Sequence, residues 1–154
     1  MIKANIEVSS KLWLKKIKNP SKSINKILNK INKILRFSPK KYYTFTILLA
    51  NNSKIKSLNK KFRKKNKATD VLSFPFYKKK DFLKTKNKRD IYLGDVIISF
   101  EFVFKRSINK IFLNEFNKLW VHGFLHLLGY DHIKNKDYKK MQHLENKILK
   151  LTSI

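Results

Sequence analysis

FLNEFNKLWVHGFLHLLGYDH, residues 112–132, is the stretch on which the fold turns. At about 100° per residue, Phe112, Phe116, Trp120, Val121, Phe124 and Leu125 spread around most of a helix circumference. A helix that is apolar on nearly every side is buried, so the pattern predicts a central helix over 112–128. His122 and His126 lie four residues apart and therefore one above the other on one face of it. Unpaired polar groups in such a place cost a few kcal/mol. A shared metal ion would supply the partner. Gly129 follows three residues later, where a left-handed residue commonly ends a helix, and His132 can then return from the loop to the same ion. Three neutral imidazoles and one open position are the usual layout of a catalytic zinc site. Core histidines bonded to backbone or carboxylates are the alternative, but the chain has four histidines and three of them fall between 122 and 132.

Working outward, the flanking patterns supply the layers that bury this helix. Upstream, YYTFTILLA (42–50), VLSFPF (71–76) and IYLGDVIISF (91–100) are β-branched and aromatic and predict strands, with Pro75 marking a sheet edge or exit. A weaker alternation over 3–8 predicts a fourth. Ser9 or Ser10 is expected to cap a turn of helix carrying Leu12, Trp13 and Ile17. Asn19-Pro20 suits a cap and first helical position, and Ile24, Ile27, Leu28, Ile31, Ile34 and Leu35 then repeat at 3.6 residues over 21–36. Asn51-Asn52 turns the chain into a short basic helix carrying Ile55, Leu58 and Phe62. Residues 78–90 hold seven basic residues without a pattern and predict a solvated loop. Helices are expected at 101–109 and 137–150. The order βαβαββ followed by helices predicts an α+β fold: a small mixed four-stranded sheet packed by about five helices, with the metal site at the end of the buried central helix. At 154 residues, without a linker or repeat, the chain reads as a single domain.

Thirty-seven basic residues against ten acidic ones give a net charge of +27. Such an excess favours a polyanion, above all nucleic acid, through counterion release. A lysine- and asparagine-rich coding bias would produce the same surface, since 33 of the cations are lysine. The absence of cysteine fits a reducing compartment. No signal-like N-terminus and no apolar run of about 18 residues is present, so a cytoplasmic location with no membrane contact is expected.

HGFLHLLGYDH (122–132) resembles the signature of the YbeY family, bacterial metal-dependent endoribonucleases of ribosomal RNA maturation and ribosome quality control. LNKKFRKKNKATDVLSFPF (58–76), LGDVIIS (93–99) and MQHLENKIL (141–149) are similar to further family segments in the right order, while the first 40 residues match only in general pattern. Phe62 stands where an aromatic, commonly Tyr, is usual, and the loop at 78–90 is unusually rich in lysine. The resemblance implies one metal-dependent ribonuclease domain over 1–154. Its ligands would be His122, His126 and His132, holding one divalent ion, most naturally Zn2+, although three imidazoles also suit Ni, Cu and Fe. It implies Arg63 as the functional arginine near the metal, single-strand-specific cleavage near the 3′ end of small-subunit ribosomal RNA, and contact with ribosomal proteins.

Arg63 also has a reading of its own: its planar fork suits bidentate phosphate contact, which lysine cannot copy, although a solvated basic face would look the same. Asp131 either accepts an N–H from a ligand imidazole or caps the turn beside His132. Ser73 and Asp70 flank the strand expected to line the cleft. Either can bind substrate, with Asp70 better suited to a turn. Glu115 reads as a stabilising carboxylate and His143 as an exposed, inert histidine. In zinc proteases of the H-E-x-x-H type the second position is a glutamate base. Here it is Gly123, which argues against peptide hydrolysis and for phosphodiester chemistry. The nucleophile is either a metal-activated water or the RNA 2′-hydroxyl. A non-catalytic ribosome-assembly factor with a structural metal is the other reading, and a zinc protease a distant third.

Overall fold

Four strands form one sheet in the order β1-β2-β4-β3, with β1 at Ile2–Val8, β2 at Tyr42–Ala50, β3 at Val71–Pro75 and β4 at Asp90–Ser99. The structure is a computed structural model and describes residues 1–152. β1 and β4 run parallel to β2, and β3 runs antiparallel to β4 as an edge strand, with Ser73 opposite Val96 and Pro75 opposite Gly94. The sheet is thus mixed, and Pro75 sits at the edge, where a missing N–H costs no ladder bond.

Alternation along the strands gives the sheet two apolar faces. Phe45, Ile47, Val96 and Ile98 face a large cluster that includes Ile24, Leu28 and Ile31 from α2 (Pro20–Leu35). The same cluster takes in Phe116, Trp120 and Phe124 from α5 (Phe112–Leu127) and Ile148 from α6 (Asn135–Lys150). The intervening Leu48, Ala50 and Ile97 turn to a smaller cluster under α3 (Asn52–Arg63). α5 is the central helix expected from its pattern. Its Phe124 ring packs 4.9 Å from that of Phe45 on the sheet, and α6 covers its other side. α4 (Phe100–Arg106) follows β4 without an intervening residue, so the strand stops and the helix starts slightly earlier than expected. Five α-helices of seven or more residues and the single turn α1 (Leu12–Lys16) surround the sheet among the described residues. None of them is long and apolar enough to cross a membrane.

Asn19 and Asn51 cap α2 and α3 through side-chain oxygens that accept from the N–H of Lys22 and Lys54, both at 2.9 Å. The expected serine cap of α1 is not formed. Lys11 occupies that position, and the backbone N–H groups of Ser9 and Ser10 and the Ser9 hydroxyl all turn to the carbonyl of Leu49 at the end of β2. Residues 78–90 are mostly exposed, as expected, but they are not an irregular loop throughout. Lys79–Thr85 forms a 3-10 helix with Thr85 buried. A local contact and a distant one hold it down: Phe82 packs 5.9 Å from Tyr77, and Lys41 Nζ donates to the carbonyls of Thr85 at 2.7 Å and Lys86 at 2.8 Å.

Candidate metal centre

α5 ends in a left-handed glycine motif that brings the three histidines together. Gly129 has φ +85°; its N–H donates to the carbonyl of His126 at 3.0 Å, and the N–H of Tyr130 donates to that of Leu125 at 3.1 Å. These two bonds form the Schellman pattern that closes a helix and reverses the chain. The reversal places the Tyr130 carbonyl 3.0 Å from His126 Nδ1. A carbonyl only accepts, so the hydrogen sits on Nδ1 and the Nε2 lone pair is left free. Glu145 Oε2 on α6 lies 3.5 Å from His122 Nδ1 and favours the same arrangement there. The two Nε2 atoms are 3.1 Å apart. Nitrogens bound at 2.0–2.1 Å to a tetrahedral zinc ion stand about 3.4 Å apart, so this pair fits one ion. One nitrogen from each of His122, His126 and His132 lies within 4.8 Å of the others. His122 and His126 are half-buried and His132 is exposed on the loop, leaving an open side toward solvent.

The electrostatics suit neutral ligands. Burial, and then the neighbouring His122, lower the pKa of His126 below the usual imidazole range, against a smaller opposing pull from the Tyr130 carbonyl. The form that carries a free Nε2 lone pair is therefore favoured.

A cleft of about 750 Å³ opens over the three histidines. Arg63, the last residue of α3, lines the same cleft. Its Nη2 donates to the Ser73 carbonyl on the edge of β3 at 2.9 Å, and its guanidinium lies 5.4 Å from the centre of the Phe74 ring. Those two contacts hold the fork in place and leave its other donors available. Ser73 also lines the cleft, but it is buried and its hydroxyl donates to the Gly123 carbonyl at 3.2 Å, tying β3 to α5. Asp131 Oδ1 accepts from the His132 backbone N–H at 2.7 Å, so its carboxylate shapes the turn that presents that ring. Asp70 accepts from the N–H of Val71 at 2.8 Å and pairs with Arg106 at 2.6 Å. Glu115 is buried and pairs with Lys118 at 2.7 Å, and His143 is exposed on α6.

Two features of the site escaped the reading of the residues. Glu145 lies outside the histidine motif but carries a signal in the sequence: it lies four residues after the buried Met141, on the inner stripe of α6, where a carboxylate is unusual. Gly123 has a positive role besides its lack of a carboxylate. A Cβ there would lie 2.7 Å from Val96 Cγ1 and 3.0 Å from Ser73 Oγ, so α5 sits directly on the sheet and position 123 has no room for a glutamate.

A sequence model of the family described as Endoribonuclease YbeY matches residues 6–153. The chain belongs to that family. It is 49% identical to the endoribonuclease YbeY of Pelagibacter ubique, over 97% of this chain and 95% of that protein. It is 35% identical to the one from Thermodesulfovibrio yellowstonii, over 94% and 89%. Among solved structures it resembles a solution structure of a Thermotoga maritima protein, with a TM-score of 0.62 and 26% identity over 99% of this chain and 89% of that one. The YbeY match extends from β1 to the end of α6, so it includes the N-terminal third, where the sequence motifs alone were least specific.

Proposed function

We propose that residues 1–154 act as one cytoplasmic, metal-dependent endoribonuclease domain that cuts single-stranded ribosomal RNA of the small subunit, near its 3′ end. The observation that carries this reading is the convergence of His122, His126 and His132 within one cleft that Arg63 also lines. A single core that includes both Ile2 and Ile148 supports one domain. The net charge of +27 supports a polyanionic substrate. A cleft of about 750 Å³ is of the size that encloses one small ligand, which suits a single strand rather than a duplex. Three nitrogen ligands with an open side suit zinc. Contact with ribosomal proteins belongs to the same proposal.

The roles follow from the geometry. His122, His126 and His132 hold the ion, with Glu145 and the Tyr130 carbonyl fixing which nitrogens face it. The ion, when bound, supplies Lewis-acid stabilisation of the phosphate and lowers the pKa of a water. Arg63 binds the scissile phosphate through donors not used on Ser73 and counters the charge that builds up in the transition state. Ser73 positions Arg63 and α5 relative to each other, and Asp131 positions His132.

The test compares wild type, His126→Ala and Arg63→Ala on small-subunit RNA, with and without a chelator. Fragments are read on a gel, and folding and RNA binding are followed in parallel. Wild-type cutting should stop with chelator and with His126→Ala, and fall about 10²–10³-fold with Arg63→Ala, while all three proteins bind RNA. If every preparation binds and none cuts, the chain is a binding factor for ribosome assembly. Equal cutting by wild type and His126→Ala would end the metal mechanism.

A further inference from the structure

The cleft has a continuation. Tyr77, on its wall, stands edge-on to Phe76 with ring centres 5.0 Å apart, and Phe76 is 64% exposed just beyond the end of β3. On its other side the Tyr77 hydroxyl lies 3.2 Å from Lys88 Nζ, which is also 5.4 Å from the ring centre. Lys88 in turn lines a second concavity of about 530 Å³ with Lys40, Lys41, Lys86 and Arg89, and no carboxylate lines it among the described residues. This wall is anchored. Lys41 clamps the carbonyls of Thr85 and Lys86, Arg89 lies 5.3 Å over the Tyr42 ring, and the Tyr42 N–H donates to the Arg89 carbonyl at 2.8 Å.

We propose that this surface is an extended binding track for the same RNA: a single strand leaving the cleft stacks bases on Phe76 and Tyr77 and lays its phosphates against Lys40, Lys86, Lys88 and Arg89. The proposal rests on the reading of the cleft as an RNA site and adds a second subsite to it. Aromatic faces followed by cations along one path are what proteins use to hold single strands, because every base has a stackable face and every link a phosphate. A duplex keeps its bases stacked inside and would meet only the cations. An acidic peptide would have no use for the aromatic faces.

The track predicts that affinity grows with strand length in a way that depends on these residues. Metal-loaded full-length protein would be titrated with labelled oligouridylate of about four and about twelve nucleotides, a range that spans single-strand site sizes, over a series of salt concentrations, with gels confirming that the strand is uncut. Lys40→Gln/Lys86→Gln/Lys88→Gln should lose the extra affinity for the longer strand and bind the shorter one unchanged. Its slope of log affinity against log salt should flatten by about two, at roughly 0.7 per phosphate contact. Phe76→Ala should weaken the longer strand about tenfold with the slope unchanged. A control of equal charge, Lys22→Gln/Lys26→Gln/Lys33→Gln on the exposed face of α2, should retain both affinity and slope. If the control loses as much as the track variant, the binding belongs to the diffuse positive field and the track is refuted. Wild-type affinity in the track variant, or equal competition by polyglutamate, refutes it as well. Cutting is scored separately on small-subunit RNA, so residue-dependent length selectivity on oligouridylate with no cleavage of that RNA would preserve the track and remove the nuclease reading.

Discussion

Position 123 accepts a hydrogen and little more. An alanine Cβ there would stand 2.7 Å from Val96 Cγ1, 3.2 Å from Cγ2 and 3.0 Å from Ser73 Oγ. Val96 is fully buried on a central strand and, being β-branched, has little rotamer freedom with which to move aside. The helix has to lift by a few tenths of an ångström. Gly123→Ala gains about 1 kcal/mol of helix propensity and costs about 1–3 kcal/mol of overpacking, a net loss of up to about 2 kcal/mol. In a Val96→Ala background both obstructing methyls are absent and only the Ser73 hydroxyl has to give, so the same substitution should stabilise by up to about 1 kcal/mol. The coupling between the two positions is therefore expected at about 1–3 kcal/mol, larger than the ~0.5 kcal/mol scatter of independent sites. Urea denaturation of the four proteins at fixed metal occupancy, read as midpoint shifts at constant slope, measures it. A second readout follows from the site. Lifting α5 separates His122 and His126 from Arg63, which is tied to β3 through Ser73, so kcat should fall in Gly123→Ala and recover in the double variant. Additive stabilities would show that the close approach of α5 to β4 does not carry the energy assigned to it.

Two other expectations concern the ligands. Glu145→Gln should weaken metal binding about 10–100-fold, the usual effect of removing a carboxylate behind a ligand histidine, measured by competition against a chromophoric chelator; unchanged affinity would show that Glu145 only neighbours His122. The pH dependence follows from His126, whose folded-state pKa lies below its ordinary value of 6.5. The unfolded chain then takes up the proton first, so the stability of the metal-free protein should rise with pH from the depressed folded value up to about 6.5 and level off above it. Thermal melts across that window should show the rise in wild type and a flatter profile in His126→Gln; equal slopes would assign the effect to another group.

Much of this architecture was legible because the elements carry strong local patterns. The nine residues of β2 and the all-round apolar surface of α5 leave few alternatives, and the Asn19-Pro20 cap behaves as capping chemistry requires. The i, i+4 histidines and the glycine three residues after them specify their own geometry, because a Schellman turn is a local object. What stayed hidden depends on distant partners. Pro75 signals an edge or exit for β3, but no local pattern says that its partner is β4, fourth in sequence, or that the two run antiparallel. The 3-10 helix at Lys79–Thr85 is held by Lys41, far back in the sequence, and the serines before α1 are diverted by a carbonyl from β2. The vicinity of Glu145 to His122 depends on how α6 lies across α5, a packing relation between two helices rather than a property of either.

The hydrogen bond from Arg63 to the Ser73 carbonyl bears on how the protein keeps to itself. An edge strand with open carbonyls is a template for strands of other chains, and in a cell full of nascent polypeptide that is a standing invitation to co-aggregate. Here one of those acceptors is already taken by an arginine reaching around from α3, and Pro75 removes a donor from the same margin. The residue proposed to meet the phosphate is thus also a stopper on the sheet. The bond gives this arginine a second use, in guarding the sheet margin, that is independent of any cleavage.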